Sequence, residues 1–302
     1  MNRPIRIGTR DSALAVWQAT TVEKALQKLG YETQLVTVKS TGDLILDKPL
    51  YELGITGIFT KTLDVAMLNG SVDIAVHSMK DVPTLLPQGI VQTAVLERAS
   101  TEDILVHNGQ PDFKDVCTIA TGSLRRKAQW LNRYPNHKVV GLRGNVNTRL
   151  QKLKESDWSG AIFAKAGLER IDVLPNEHIS LDWMIPAPAQ GAMVVVVLES
   201  DDFCIEASSR LNHANSEICT RVEREFLRVL EGGCSAPIGA LATIEGGKLV
   251  FKGVLLSLDG STELKIERSA KLSAIDNFGE DCAKEILENG GAELMHYIKK
   301  KL

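Results

Sequence analysis

The strongest constraint on this chain is the alternation of short apolar runs with helical periodicity through much of its length. Ile5 to Thr9 reads as a strand, and Ser12 to Leu29 follows as a helix because Ala15, Ala19, Val22, Leu26 and Leu29 recur on one face. Gly30 then ends the helix, since glycine takes the left-handed backbone of a helix end without steric cost. Further strands are expected at Thr33 to Val38, Val72 to His77 and Val91 to Leu96, with a helix across Thr60 to Leu68 between them. Parallel strands need a crossover, and a helix is the usual one, so this order predicts a doubly wound α/β sheet.

The same architecture recurs further on. Strands are expected at Ile104 to Val106, Thr118 to Thr121, Val139 to Leu142 and Ala161 to Ala164, with helices over Leu124 to Asn132 and Val146 to Lys154. Pro175, Pro186 and Pro188 punctuate the chain as it leaves this second unit, and the apolar run Met193 to Leu198 is expected to return into the first sheet. After Leu211 the order changes to a helix (Ile218 to Leu230), strands at Ala240 to Ile244, Leu249 to Ser257 and Glu263 to Leu272 with an Asp259-Gly260 turn, and a closing helix from Ala274 to Lys301. The expected organisation is therefore two doubly wound α/β domains, the first discontinuous over 1–96 and 190–210, the second over 97–189, and a small α+β C-terminal domain over 211–302.

Charge and cysteine usage narrow the classes of function. With 35 basic against 38 acidic residues the chain has no global attraction for nucleic acid or an anionic membrane, so any affinity for anions must be local. Met193 to Leu198 is far shorter than the roughly 20 residues of a membrane-spanning helix, so no membrane association is expected. The opening residues run into strand-like sequence without the apolar core of a signal peptide, from which a cytoplasmic location is expected. The five cysteines are odd in number, widely spaced and without a C-x-x-C pair, which suggests neither a disulfide framework nor a metal site.

Three segments carry chemical signals. Thr121 to Lys154 holds nine basic residues, Arg125, Arg126, Lys127, Arg133, Lys138, Arg143, Arg149, Lys152 and Lys154, and no Asp or Glu. Arg125 and Arg126 follow Thr121-Gly122-Ser123 at a strand-to-helix junction, where backbone N–H groups and the helix dipole already favour negative charge, and Arg143 lies just past the next strand. This stretch reads as a small-anion pocket, a nucleic-acid surface helped by Trp130 and Tyr134, or a solvated basic face; composition leaves all three open.

His77-Ser78-Met79-Lys80-Asp81-Val82-Pro83 follows a strand, at a carboxyl edge where open α/β sheets bind ligands. Asp81 suits stabilisation of a transient cation, or else an ordinary cap or ion pair, and His77 reads more readily as a satisfied strand-end histidine than as a catalyst. Glu231-Gly232-Gly233-Cys234-Ser235 places a cysteine in a glycine-flanked loop that can expose its sulfur, although a lone cysteine is also an ordinary packing residue.

Taken in order, these segments resemble the porphobilinogen deaminase (hydroxymethylbilane synthase) family. The resemblance rests on Arg6 to Arg10 with Trp17-Gln18, Thr41-Gly42-Asp43, His77 to Pro83, Ser123 to Arg126, Leu142 to Val146 with Thr148-Arg149, Ala166 to Leu168 with Arg170, Pro188 to Ala192, and Glu231 to Ile238. Each piece alone is weak, but jointly and in this order they are highly specific.

The resemblance implies two domains like those of type II periplasmic binding proteins plus a small third domain whose Cys234 carries a dipyrromethane cofactor through a thioether, pointing into the cleft between the other two. It further implies a monomer that deaminates porphobilinogen to an azafulvenium cation, condenses successive units on the cofactor and releases the linear tetrapyrrole hydroxymethylbilane. Asp81 would stabilise the cation and assist proton transfer. Arg10, Arg125, Arg126, Arg143, Arg149 and Arg170, with Ser78, Lys80, Thr121 and Ser123, would hold the acetate and propionate groups, and Gln18, Phe59, Gly144, Asn145 and Gln190 would complete the site.

Three positions depart from the pattern: Thr56 stands where a lysine is common, Gly122 where a serine is frequent, and Lys165 where the residue is usually apolar or small. The rival reading is a non-catalytic two-domain carboxylate or oxyanion binder of the periplasmic type, which explains the fold and the arginines but neither Cys234 nor the third domain. An RNA-binding protein is a third reading and would call for a more basic surface.

Overall fold

A computed structural model describes residues 3–39, 60–109, 111–230 and 236–302. Thr41 to Asp43, Thr56, Phe59 and the loop 231–235 with Cys234 lie outside the described residues. These gather into two compact units, the first of 3–39, 60–99 and 191–218, the second of 100–190 and 219–302 with the gaps just given.

In the first unit β1 (Ile5–Thr9) leads to α1 (Ala13–Lys28), β2 (Thr33–Thr37), α2 (Lys61–Leu68), β3 (Ile74–Ser78) and β4 (Ile90–Val95). Helix α1 starts where Ser12 accepts from the Ala15 N–H and stops at Gly30, whose φ is +90°. The second unit continues with β5 (Asp103–Val106), β6 (Thr118–Ala120), α3 (Leu124–Arg133), β7 (Lys138–Val140), α4 (Val146–Lys154), β8 (Gly160–Ala164), α5 (Lys165–Glu169) and β9 (His178–Ser180). The chain then returns to the first unit in β10 (Met193–Leu198) and α6 (Asp202–Ser209).

The strand orders are β2-β1-β3-β10-β4 and β7-β6-β8-β5-β9. In the first sheet β1 runs parallel to β2 and β3, whereas β10 runs antiparallel to both β3 and β4. The return strand expected from the sequence is therefore present, and it gives the sheet mixed rather than all-parallel pairing. In the second sheet β6 is parallel to β7 and β8, and β5 is antiparallel to β8 and β9. The core of the first unit joins Ile5, Ile7, Ile74, Val76, Val195 and Val197 to Ala19, Val22 and Leu26 of α1. Short elements escape sequence reading: β9 and α5 offer too few residues to set up a period.

Helix α7 (Ala214–Val229) precedes an antiparallel sheet of β11 (Ile238–Glu245), β12 (Lys248–Leu256) and β13 (Glu263–Lys271). The first hairpin turns on Gly246 and Gly247, with φ of +55° and +75°, a backbone that favours two glycines. The single closing helix expected from the sequence is corrected to α8 (Phe278–Ile286) and α9 (Ala292–Lys301), separated at Asn289-Gly290 where Gly290 has φ +97°. Its left-handed backbone breaks the helical ladder although the apolar spacing runs on.

Phe251 in the central strand β12 is fully buried and meets Phe226 of α7 edge-on at 5.2 Å and Phe278 of α8 at 6.3 Å. It fastens both helices to the sheet at whose start the cysteine loop ends. Phe251→Ala is expected to lower unfolding free energy by about 3–5 kcal/mol. Equilibrium urea melting checks this, and a loss under about 1 kcal/mol would mean the three rings do not form the core of this sheet.

Candidate active site

Parallel strands deliver their following residues to one edge, and in each unit that edge collects the polar residues expected to do chemistry. In the first unit Ile7 pairs with Ile74 and Gly8 with Ala75, so the register carried two residues further sets Arg10 level with His77. Ser78, the last residue of β3, accepts a 2.8 Å hydrogen bond from Gln18 Nε2, and Gln18 is itself buried on α1. The Met79 N–H donates to the Ala192 carbonyl at 3.0 Å, the Met79 side chain is buried, and Val82 N–H closes the short helical turn onto Met79 at 3.2 Å. Lys80 and Asp81 thus sit half-buried on a turn pinned from three sides.

His77 is buried at 6 % exposure and, among the described residues, its Nε2 has no hydrogen-bond partner, which departs from the reading of a satisfied strand-end histidine. Burial first, and the positive charge of Arg10 second, push its pKa down to about 3. The ring is therefore neutral at physiological pH and cannot serve there as a proton store.

In the second unit Thr121 follows β6, and its N–H donates to the Val140 carbonyl at 2.9 Å. Ser123 caps α3 by accepting from the Arg126 N–H. Gly122 has a structural reason for departing from serine: a Cβ there would lie 2.5 Å from the Leu142 carbonyl oxygen, too close without a shift. Gly144, at φ +113°, and Asn145, which caps α4 by accepting from the Thr148 N–H at 2.9 Å, shape the next turn, and Arg149 Nε donates to the Gly144 carbonyl at 2.8 Å. Burial holds the guanidinium of Arg143 below the usual arginine range and that of Arg170, at the end of α5, down to about 10.

Arg125 and Arg126 do not form a solvated face; they are 4 % and 6 % exposed. Both converge on Asp103, a fully buried carboxylate that the sequence reading missed. Arg125 is ion-paired to its Oδ2 at 2.7 Å, and Arg126 donates to Oδ1 from Nε at 3.0 Å and Nη2 at 2.7 Å. Gln190 Nε2 donates to the same Oδ1 at 3.0 Å, and the remaining guanidinium edges reach the Ile185 carbonyl (Arg125, 2.7 Å) and the Ile162 carbonyl (Arg126, 2.9 Å). The sequence signal for Asp103 was an acid at the head of a buried strand. Trp130, the aromatic that could have helped bind RNA, lies wholly in the core with its Nε1 donating to His137 Nδ1, which removes it from that role.

Lys165 is explained by Glu102: its Nζ pairs with the carboxylate at 2.8 Å and its N–H donates to the Glu102 carbonyl at 3.0 Å. Cys234 lies outside the described residues, but the chain on its far side is fixed. Ala240 N–H donates to the Pro186 carbonyl at 3.0 Å, one residue from the Ile185 carbonyl that accepts from Arg125. Glu223 Oε1 accepts from Ala242 N–H at 2.7 Å and its Oε2 from Ala189 N–H at 2.6 Å, where Ala189 has φ +61°. Segment 185–190 therefore ties the arginine helix to the strand that follows the cysteine loop.

Among the described residues no cluster of His, Cys, Asp and Glu is arranged to hold a metal, and no helix is long and apolar enough to cross a membrane. The first edge thus offers neutral polar groups, the half-buried carboxylate of Asp81 and the cations Arg10 and Lys80, and the second offers buried cations.

Comparison with known proteins adds two family matches that together run through nearly the whole chain. Residues 5–206 match the model described as porphobilinogen deaminase, dipyromethane cofactor binding domain, and residues 217–288 the porphobilinogen deaminase C-terminal domain. The chain is 40% identical over 303 residues to porphobilinogen deaminase of Campylobacter hominis, covering 98% of both chains, and 40% identical over 305 residues to that of Moorella thermoacetica, covering 98% of this chain and 96% of the relative. An ancestral cationic amino acid solute binding protein overlays with a TM-score of 0.44 at 12% identity, covering 69% of this chain and 87% of that one.

The neutral His77 gives a pH signature. Its pKa is near 6.5 when unfolded and about 3 when folded, so between those values the unfolded chain binds more protons, and stability is full above pH 6.5 and falls as the pH drops. His77→Gln is expected to flatten the stability profile over that window by up to about 1.4 kcal/mol per pH unit. Urea titrations from pH 7 to pH 4 on both proteins measure it, and parallel profiles would refute the depressed pKa.

Proposed function

The chain belongs to the porphobilinogen deaminase family, and from there we propose that it deaminates porphobilinogen and condenses the units head to tail on a dipyrromethane held by Cys234, releasing hydroxymethylbilane for tetrapyrrole biosynthesis. The observation that carries this reading is the buried arginine pair in a stretch of nine basic residues without an acid. Porphobilinogen and dipyrromethane both bear acetate and propionate groups, which guanidiniums grip in a bidentate manner.

The residues of the second unit fit the dipyrromethane. Arg125 and Arg126 share the carboxylate of Asp103, and among the described residues the buried Arg125 Nε has no acceptor, so two guanidiniums against one carboxylate leave cationic capacity for a ligand carboxylate. Thr121 and Ser123 lie at the amino end of α3, where backbone N–H groups favour an anion, and Arg143, Arg149 and Arg170 would extend the grip. When bound, the dipyrromethane supplies the nucleophilic pyrrole carbon on which condensation starts.

The chemistry divides between the units. Asp81 in the first unit would hold its carboxylate against the azafulvenium cation left when porphobilinogen loses ammonia, and would carry the proton given up as the new bond forms. Arg10, Ser78 and Lys80 would bind the carboxylates of the incoming pyrrole, with Gln18 fixing the Ser78 hydroxyl. His77, held neutral near physiological pH by burial, is not assigned the proton-carrying role. We also propose a monomer acting in the cytoplasm, with residues 97–189 and 211–302 as separate domains, a division that departs from the two compact units at 97–99 and 211–218.

Intact-mass spectrometry of the purified chain is expected to show the mass of two extra pyrrole units, absent from Cys234→Ala; an active protein of unmodified mass would defeat the proposal. Asp81→Ala is expected to keep the adduct while porphobilinogen turnover falls by at least about 10²-fold. A rate within a few fold of normal would remove Asp81 from the role given to it.

A further inference from the structure

The ion pairs that order the two arginines both lead to Asp103. It is the first residue of β5 and wholly buried, with one oxygen shared by Arg126 Nε, Arg126 Nη2 and Gln190 Nε2 and the other ion-paired to Arg125. Gln190 is also fully buried and donates a second bond to the Thr101 carbonyl at 2.8 Å, so the carboxylate is held from behind by a neutral group. Two guanidiniums against one carboxylate leave one positive charge over, to which the amino end of the ten-residue helix α3 adds its partial charge. Arg125 Nε, buried without an acceptor, marks where the shortage of anion lies.

We infer that Asp103 is a positioning residue: it orients the Arg125 and Arg126 guanidiniums and neutralises one of them, so that the pair receives a single ligand carboxylate. The inference rests on the reading that these arginines hold the dipyrromethane. Without the aspartate the guanidiniums keep their charge but lose the partner that fixes their orientation. Lysine at either arginine position could not reproduce the arrangement, since an ammonium has no planar pair of donors to divide between Asp103 and a ligand.

Melting temperatures of four full-length proteins test this: the unaltered chain, Asp103→Asn, Cys234→Ala, and the double variant, with the adduct on each read by intact mass. Asparagine keeps the shape and the contact with Gln190 while removing the charge. In the unaltered chain the adduct is expected to raise the melting temperature above that of Cys234→Ala. In the Asp103→Asn background that rise is expected to shrink by at least half, and a folded Asp103→Asn protein that acquires no adduct is the extreme of the same result.

An undiminished rise would make Asp103 a purely structural group and overturn the inference, because a structural loss lowers adduct-bearing and adduct-free proteins alike. Should Asp103→Asn fail to fold, Asp103→Glu, which keeps the charge but shifts it by a methylene, goes through the same comparison with the same expectation. Loss of the fold in both variants also overturns the inference. An unaltered chain without an adduct, or with one that leaves melting unchanged, defeats the underlying reading of Cys234 and the arginines instead.

Discussion

A guanidinium taken out of water is costly unless an opposite charge and hydrogen-bond acceptors meet it, and the arginine pair of the second unit is arranged around that requirement. Arg125 and Arg126 are adjacent on the first turn of α3, and both are buried, so a single anion must lie where two successive helix positions can reach it. Asp103 meets that demand from the start of β5, and the guanidiniums then bond the carbonyls of Ile162 on β8 and of Ile185. Removing one partner of such an arrangement leaves an uncompensated buried charge, at a cost of about 3–5 kcal/mol. The helix start, the sheet and the segment running toward Gln190 are therefore fixed by one group of charges.

That group of charges reaches the third sheet through two neighbouring carbonyls. Ile185 receives Arg125, and Pro186 receives the Ala240 N–H of β11. Gly239 has no room for a side chain because a Cβ would lie 2.8 Å from the Ile185 carbonyl oxygen. Glu223 closes the same connection from α7 by taking the N–H groups of Ala189 and Ala242. Strand β11 is thereby tied to the segment that accepts from the arginine helix.

The alternation of elements was legible in the sequence because apolar period is a local property. Val146 to Lys154 and Met193 to Leu198 were placed to the residue, and Ser123 stands as the cap of α3 immediately before the helix read from Leu124. The acid-free basic stretch was equally plain. What stayed hidden was pairing: Asp103 lies 23 residues before Arg126, and no spacing rule links an acid at a strand start to an arginine on a later helix. Glu223 and the left-handed Ala189 escaped for the same reason, since each is explained by a partner distant in sequence. His77 was visible as a strand-end histidine, but its lack of a partner depends on what surrounds Nε2 in space.

Both sheets use their antiparallel strand in the same way, which explains why chemistry gathers where it does. In the first, β10 begins at Met193 opposite Ser78, the last residue of β3; in the second, β5 begins at Asp103 opposite Ala164, the last residue of β8. The residue after each of those parallel strands, Met79 or Lys165, donates its N–H to the carbonyl just before the antiparallel strand, that of Ala192 or Glu102, at 3.0 Å in both cases. An antiparallel strand thus enters each sheet at the edge where its parallel neighbours end, and its entry pins the turn that follows. The two entry positions carry different side chains. Met193 is a buried apolar residue at the first, whereas Asp103, at the second, is the carboxylate on which Arg125 and Arg126 converge.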